Sequence, residues 1–290
     1  MITYQRCTEV NEDVIFQAFQ IGFSDYIIQI EMTKDFFIKR FFGPEGNGLE
    51  YSVIALDEDK PVGLNLGGIK VYEGIKTLRC GALCIHPDYR GTEVGKELFK
   101  LHKEIAIDNG CKQLFLEVIV GNDRAINFYK KKGYEKIYDM VYYSHNNPSE
   151  LKAALPNDLR IEKIDLNVLK TLSHEIQDIH INWQNDFDYI SQIDDQVHYG
   201  IFKEQKLIGG LSTHPKGKIS FLWIHAGFRH QGIGRGLINH AVKELNIEKL
   251  VISFPNNAKL LGFVKRLNFT KDSISQYEMY RTLLNTENTD

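Results

Sequence analysis

One pattern occurs twice in this chain. An apolar run, "LRCGALCIH" (78–86), leads into the loop "YRGTEVGKE" (89–97), and Val94, Leu98, Leu101 and Ile105 then form one stripe of a helix. Further on, "KISFLWIH" (218–225) leads into "FRHQGIGRG" (228–236), and Ile233, Leu237, Ile238, Ala241, Val242 and Leu245 form the same kind of stripe. A β-hairpin pattern precedes each copy, "YSVIALDEDKPVGLNLGGIKVYEG" and "QVHYGIFKEQKLIGGLSTHP". An apolar strand and a short helix follow each: "CKQLFLEVIV" with Asn122 to Lys132, then "KLVISF" with Asn257 to Leu267. A repeat of such long period predicts one supersecondary unit built twice.

The first copy reads β-α-α-β-β-β-α-β-α-β. "ITYQRC" opens it as a strand, "NEDVIFQAFQIGF" is a helix capped by Asn11, Met32 to Phe42 a second helix, and "YEKIYDMVYYS" the closing strand. The pattern fails in "SHNNPSELKAALPND", which is polar, holds two prolines and has room for one helical turn; it reads as a linker. "LRIEKID" then opens the second copy, Leu166 to Ile179 reads as a helix, and "QYEMYRTLL" closes it. Two domains are expected, 1–150 and 156–290. Each is α/β, with a mixed, mostly antiparallel central sheet flanked by helices.

The chain is long enough at 290 residues for two such cores, and a net charge of −3 with dispersed Lys and Arg argues against a nucleic-acid partner. Cys7, Cys80, Cys84 and Cys111 read as buried free thiols, and no His, Cys and Asp grouping has metal-ligand spacing. The absence of a signal pattern at "MITYQRCTEVNEDV", and of any 18-residue apolar window, leads to the expectation of a cytoplasmic protein without a membrane partner.

Glycine admits a ligand close to the backbone, and the first amides of a helix have no partner within the helix, so both loops suit a phosphate. Neither ends in Gly-Lys-Ser/Thr as a P-loop would, and neither follows the first strand of a βαβ unit as a dinucleotide fingerprint does. The strand, Arg-x-x-Gly-x-Gly loop and amphipathic helix together resemble the Gcn5-related N-acetyltransferase (GNAT) superfamily, in tandem. In that family the loop binds the pyrophosphate of acetyl-CoA through backbone amides. Arg229-His230-Gln231-Gly232-Ile233-Gly234 matches it fully, which puts Arg229, Gly232 and Gly234 among the expected cofactor-binding residues. Arg90-Gly91-Thr92-Glu93-Val94-Gly95, followed by Lys96, matches except that Glu93 replaces the middle glycine, bringing a charge and a Cβ.

"NDRAINFYKKKGY" resembles the family's second segment, which packs beside the pantetheine arm; Asn122 and Ala125 join the expected contacts there. The family's tyrosine in this segment often protonates the departing thiolate, and Tyr129 occupies its place. "NAKLLGFVKRLNF" is the second-half counterpart, with Val264 at the tyrosine position and Asn268 at that of Gly133. The resemblance also places the oxyanion donor on the backbone near Cys84 or Ile85, beside His86 at the strand exit.

Acetyl transfer needs a held thioester, a neutral amine, a donor for the developing oxyanion and a proton for the thiolate. A phenol of Tyr129 suits the last. Glu117, within "LFLEVIV", is either a general base acting through water, a site for a cationic substrate group, or a satisfied structural carboxylate. His86 and His225 precede the loops, more as strand exits than as chemistry. Phe23, Tyr26 and Phe36 with Asp25 or Glu31, and Trp183, Asp186 and Asp188 in the second half, are candidates for an acceptor site or for plain helix packing. The resulting expectation is an N-acetyltransferase, monomeric or homodimeric. It uses acetyl-CoA or another short acyl-CoA on the primary amine of a small molecule, with its reaction in residues 1–150. Catalysis or cofactor binding in the second half, and a non-catalytic acyl-CoA-binding scaffold, are the alternatives.

Overall fold

The structure is a computed structural model that describes residues 1–176 and 179–283. In the first half, β1 (Ile2–Arg6) precedes α1 (Glu12–Gly22), α2 (Lys34–Phe41), β2 (Gly48–Asp57), β3 (Lys60–Tyr72) and β4 (Ile75–Ile85). Then come α3 (Val94–Asp108), β5 (Gln113–Ile119), α4 (Asp123–Lys131) and β6 (Glu135–His145). The second half has β7 (Leu159–Lys163), α5 (Leu166–Lys170), α6 (Phe187–Ile190), β8 (Val197–Lys203), β9 (Lys206–Thr213) and β10 (Lys218–Ile224). It ends with α7 (Ile233–Leu245), β11 (Leu250–Phe254), α8 (Ala258–Arg266) and β12 (Thr270–Thr282).

Local chemistry accounts for most boundaries. The Asn11 side chain accepts from the Asp13 amide at 2.8 Å and starts α1. Thr33 does the same for Phe36 at 3.3 Å, so α2 begins at Lys34 and not at Met32. The helix expected over 166–179 is instead α5 followed by a 3₁₀ turn, Thr171–Glu175; Gln177 and Asp178 lie outside the described residues, as does Leu284 of the expected last strand.

Two units emerge, and they are not the two halves of the sequence. One is Met1–Tyr138 with the chain from Gln276 onward; the other is Asp139–Ser275. In the first, strands are ordered β1-β2-β3-β4-β5-β12, antiparallel except for the parallel β4–β5 pair. In the second the order is β6-β11-β10-β9-β8-β7, antiparallel except for β10–β11. The mixed, mostly antiparallel sheet with flanking helices is thus present twice. The expected division at 150/156 differs in the closing strands. Residues 276–282 run beside β5, Gln276 opposite Ile119 to Thr282 opposite Gln113, and residues 141–145 run beside β11. Each sheet takes its last strand from the other half of the sequence. An uncovered strand edge leaves backbone groups unpaired, and either closing strand satisfies them equally well.

The expected linker also changes character. It begins inside β6, makes one 3₁₀ turn at Pro148–Glu150, and buries Pro148 and Leu151. Leu155 lies against α7, 2.5 Å from where a Cβ on Gly236 would stand. The third glycine of the complete loop therefore makes room for packing.

In the first unit one sheet face packs Leu78, Cys80, Leu114, Leu116 and Val118 against α3 and α4. The other packs Ile54, Leu64, Leu66 and Cys84 against Phe19 of α1 and Phe37 of α2. All four cysteines are buried and free.

Candidate functional site

The β4–β5 ladder stops early. It pairs Thr77 with Gln113 through Cys80 with Leu116, while β4 continues to Ile85 and β5 to Ile119. The two strands open beyond Cys80, and the phosphate-type loop and α3 stand at the far end of the longer one. In the second unit β10 and β11 pair only at Lys218–Val251 and Ile219–Ile252 before opening.

The first loop fits an anion. Gly91 has φ +80 and nothing within 4 Å of where its Cβ would be. The amides of Gly91, Thr92 and Glu93 meet no backbone acceptor among the described residues. The Thr92 hydroxyl donates to Tyr89 O at 2.6 Å and shapes the turn. Glu93 sits at φ −73, so its Cβ carries none of the strain expected of it. Its carboxylate points to solvent and pairs with Lys96 at 2.6 Å. The left-handed position in this loop is Gly91; in the second loop both His230 (φ +64) and Gly232 (φ +77) are left-handed. Glycine is demanded at Gly232 and not at Glu93.

The two arginines bind back to their own strands. Arg90 Nε donates to Ile85 O at 3.1 Å, and Arg229 Nε to Ile224 O at 2.7 Å, each tying the loop to the strand before it. Arg90 also donates to Gly22 O at 3.2 Å and forms a two-pronged ion pair with Asp25. The hydrogen bond from Arg90 holds the Asp25 carboxyl below its ordinary range. This brace, which fastens the end of α1 to the loop, was not legible in the sequence. Gly95 lies over Ile85 at 3.7 Å from a hypothetical Cβ, an ordinary contact.

His86 and His225 serve as turn caps. Their Nδ1 atoms accept from the amides of Asp88 and Gly227, both at 3.2 Å. Asn122 caps α4 by accepting from the Ala125 amide at 3.2 Å.

Tyr129 lies under the opening. It is 7% exposed and belongs to the same buried cluster as Cys80. Burial, with Cys80 and Tyr134 nearby, keeps it protonated well above the ordinary phenol range. Tyr134 packs on it at 5.7 Å between ring centroids. The Tyr134 hydroxyl and both nitrogens of His102 are buried without a hydrogen-bond partner among the described residues, and burial pushes His102 down to about 3, keeping it neutral. The second unit answers this polar set with apolar residues. Ile219 ends its ladder as Cys80 does, and Val264 and Phe269 share the bond that joins Tyr129 and Tyr134 (amide of the latter to carbonyl of the former, 3.0 and 3.1 Å). There the Phe263 ring stands 3.3 Å from where a Cβ on Gly234 would be.

Glu117 has a structural partner. It lies on the sheet face opposite Leu116 and Val118, and Arg79 reaches it through Nε at 2.8 Å and a terminal nitrogen at 2.7 Å. Arg79 also meets Glu45 at 3.0 Å, and Glu278 stands across from Glu117 in the register. Burial raises the Glu117 carboxyl to about 7, with Arg79 opposing and Glu278 and Glu45 adding to the rise. Of the three readings offered by the sequence, the Arg79 partner gives the satisfied structural carboxylate its contacts.

On the acceptor side, a cavity of about 220 Å³ is lined by Phe19, Phe23, Gln29, Ile30, Glu31 and Met32, among others. Gln29 donates to Glu31 at 2.5 Å. Phe23 and Tyr26 pack edge to face, and Phe36 is 52% exposed. In the second unit Trp183 is buried and Asp186 caps α6, accepting from Tyr189 at 2.9 Å. Among the described residues no group of His, Cys, Asp and Glu has metal-binding geometry, and no helix is long and apolar enough to cross a membrane.

Comparison with known proteins gives the same pattern. The sequence pattern of the acetyltransferase (GNAT) family matches residues 15–134 and 168–269. Thialysine N-epsilon-acetyltransferase of Bos taurus is 43% identical over 49 residues, 17% of this chain and 29% of that protein, so the match spans under a third of that relative. N-alpha-acetyltransferase 30 of Schizosaccharomyces pombe is 27% identical over 136 residues, 45% of this chain and 89% of that protein. Among solved structures, a tandem GNAT protein from the clavulanic acid biosynthesis pathway superposes with a TM-score of 0.71 at 12% identity, covering 97% of this chain and 98% of that one. A GCN5-related N-acetyltransferase from Sphaerobacter thermophilus gives 0.66 at 11% identity over 97% and 95%. At such identities these likenesses concern the fold.

Proposed function

The chain belongs to the acetyltransferase (GNAT) family, and we propose that its first unit moves an acetyl group from acetyl-CoA to the primary amine of a small molecule. The observation that carries this reading is the buried Tyr129 beside the open strands of the first unit, against Val264 in the second. The loop amides of Gly91, Thr92 and Glu93 hold the pyrophosphate, and the brace through Arg90 keeps that loop in register with β4. The β4 backbone beyond Cys80 supplies the oxyanion donor near Cys84 or Ile85. The amine nitrogen bonds to the thioester carbon, the carbon–sulfur bond breaks, and Tyr129 gives its proton to the leaving sulfur. Water takes the proton from the amine; Glu117 has no part in this step. The cavity beside Phe23 and Glu31 receives the acceptor, its carboxylate suiting a cation and its size a small molecule.

In this reading the second unit binds no acyl-CoA, because Phe263 stands where its cleft would open beside Gly234. A second reading, cofactor in the second unit, draws on its complete loop with two left-handed positions. Calorimetry with acetyl-CoA separates them. Gly91→Val abolishes binding under the first reading and leaves it intact under the second; Gly232→Val does the reverse. Retained binding in both variants would remove the phosphate role from both loops.

A further inference from the structure

The end of α1 crosses the mouth of the open strands. Its last turn sits on β4 beyond the ladder: the Cys84 thiol donates to Ala18 O at 3.6 Å, and a Cβ on Gly22 would stand 2.6 Å from Cys84 Sγ. Only glycine fits so close an approach. The chain then leaves the helix and passes from the end of β4 to the end of β5. On the β4 side Arg90 holds it, with Nη1 and Nη2 on the two oxygens of Asp25 and Nη2 on Gly22 O as well. On the β5 side Ile27 lies on Gly121, just past Ile119, with its Cδ1 3.5 Å from where a Cβ on that glycine would stand. Residues 22–27 are thus a strap pinned at both strand ends. The turn of α1 that carries it also lines the cavity, through Phe19, Gln20, Phe23 and Ser24.

Arg90 is fully occupied by this strap and its own strand. Nε is bound to Ile85 O, and both terminal nitrogens face Asp25 or Gly22 O. A planar guanidinium can join a strand carbonyl, a helix carbonyl and a carboxylate at once, which a lysine ammonium cannot. The second unit shows a loop without the tie. Arg229 keeps the strand bond, Nε to Ile224 O, but its guanidinium lies 5.9 Å from the Trp223 ring centroid. Glu175, which ends the 3₁₀ turn after α5, lies 3.6 Å from His225 instead. The bond to the strand is common to both loops and serves the turn. Among the described residues, the tie to a strap accompanies the unit that carries Tyr129.

We propose, on the reading of residues 91–93 as the pyrophosphate site, that Asp25 and Arg90 are a positioning pair that joins the cofactor loop to the acceptor cavity. Pyrophosphate held on the amides of Gly91, Thr92 and Glu93 fixes the loop and Arg90 with it. A fixed Arg90 keeps both prongs on Asp25 and keeps Gly22 O in place, so the last turn of α1 and the cavity wall lose freedom. Acetyl-CoA therefore prepares the cavity for the acceptor, and by linkage the acceptor tightens acetyl-CoA. The pair acts through geometry, since Asp25 already balances the charge of Arg90.

Acetyl-CoA itself is the probe. Calorimetry gives its Kd, and hydrogen exchange read by mass spectrometry follows peptides covering 22–30, 91–95 and 229–234. In the wild type, acetyl-CoA should slow exchange in 22–30 together with 91–95, by about fivefold or more. Asp25→Asn and Arg90→Lys should each raise the Kd about fivefold and remove the protection of 22–30, while that of 91–95 remains. The double variant should lose no more than either single one, because the same pair is broken in all three. Asp25→Asn removes a negative charge beside the loop, and Arg90→Lys keeps a positive one. If Arg90 worked by attracting pyrophosphate, the first would tighten binding and the second would leave it unchanged. Either result overturns the inference, as does wild-type protection confined to 91–95, or protection of 22–30 that persists in both variants. Wild-type protein that does not bind acetyl-CoA, or that is protected at 229–234 in place of 91–95, overturns the reading of the first loop and the inference with it. The Asp25 side chain is 56% exposed, so Asp25→Asn is expected to fold and carries the test should Arg90→Lys not.

Discussion

Replacing Glu117 by glutamine should change how stability depends on pH. Glu117 lies in a buried cluster with Glu45 and Glu278, where Arg79 pairs with Glu117 and Glu45 and Arg40 also pairs with Glu45, so the neighbouring carboxylates repel a charge on Glu117. The cluster relieves this by retaining a proton, and Glu117 rises from the ordinary 4.5 to about 7, first through burial. Between those values the folded chain binds a proton that the unfolded chain has lost. Stability from this group is therefore full below about pH 4.5 and falls as pH rises through about 7. At about 1.4 kcal/mol per pH unit the loss amounts to about 3 kcal/mol. Glu117→Gln keeps a neutral side chain of the same shape throughout. Urea unfolding of both proteins from about pH 5 to about pH 8 measures the difference. The wild type should lose about 3 kcal/mol relative to the variant over that range. Parallel curves would mean that Glu117 stays ionised, and that the attraction of Arg79 outweighs burial and the neighbouring carboxylates.

Other expectations follow from single contacts. Residues 1–150 expressed alone lack 276–282, which cover β5 and bring Met279 into the core; they should be insoluble or molten by circular dichroism, and fold when co-expressed with 151–290. Glu93→Gly should tighten acetyl-CoA binding only a few-fold, about 1 kcal/mol or less, with the gain vanishing at high salt, since the carboxylate is exposed and paired with Lys96. Asn268→Gly should raise the melting temperature slightly, by about 1 kcal/mol at most, because Asn268 holds φ +59, whereas Gly133→Ala at φ +81 should cost about 1 kcal/mol. Asp25→Asn should loosen the loop held by Arg90 and raise KM for acetyl-CoA more than it lowers kcat.

The duplication, the family and the class of fold were written in linear patterns: period-two strands, helix stripes, and glycines where backbone geometry requires them. Those signals are local, and local sterics and periodicity produce them whatever the rest of the chain does. Gly91 and Tyr129 were legible for the same reason, as was the missing tyrosine at Val264. Tertiary structure decided the rest. Which sheet β6 and β12 would close could not be read, because an alternating strand satisfies either open edge. The contacts of Arg90 with Asp25 and Gly22 O, separated by some sixty-five residues of sequence, had no local signal. Three readings of Glu117 stood open in the sequence, and the contact with Arg79 came only with the fold. Asn65 carried no signal at all: only the pairing of β3 with β4 brings its side chain within 3.3 Å of the Cys80 thiol, a contact that no local pattern encodes.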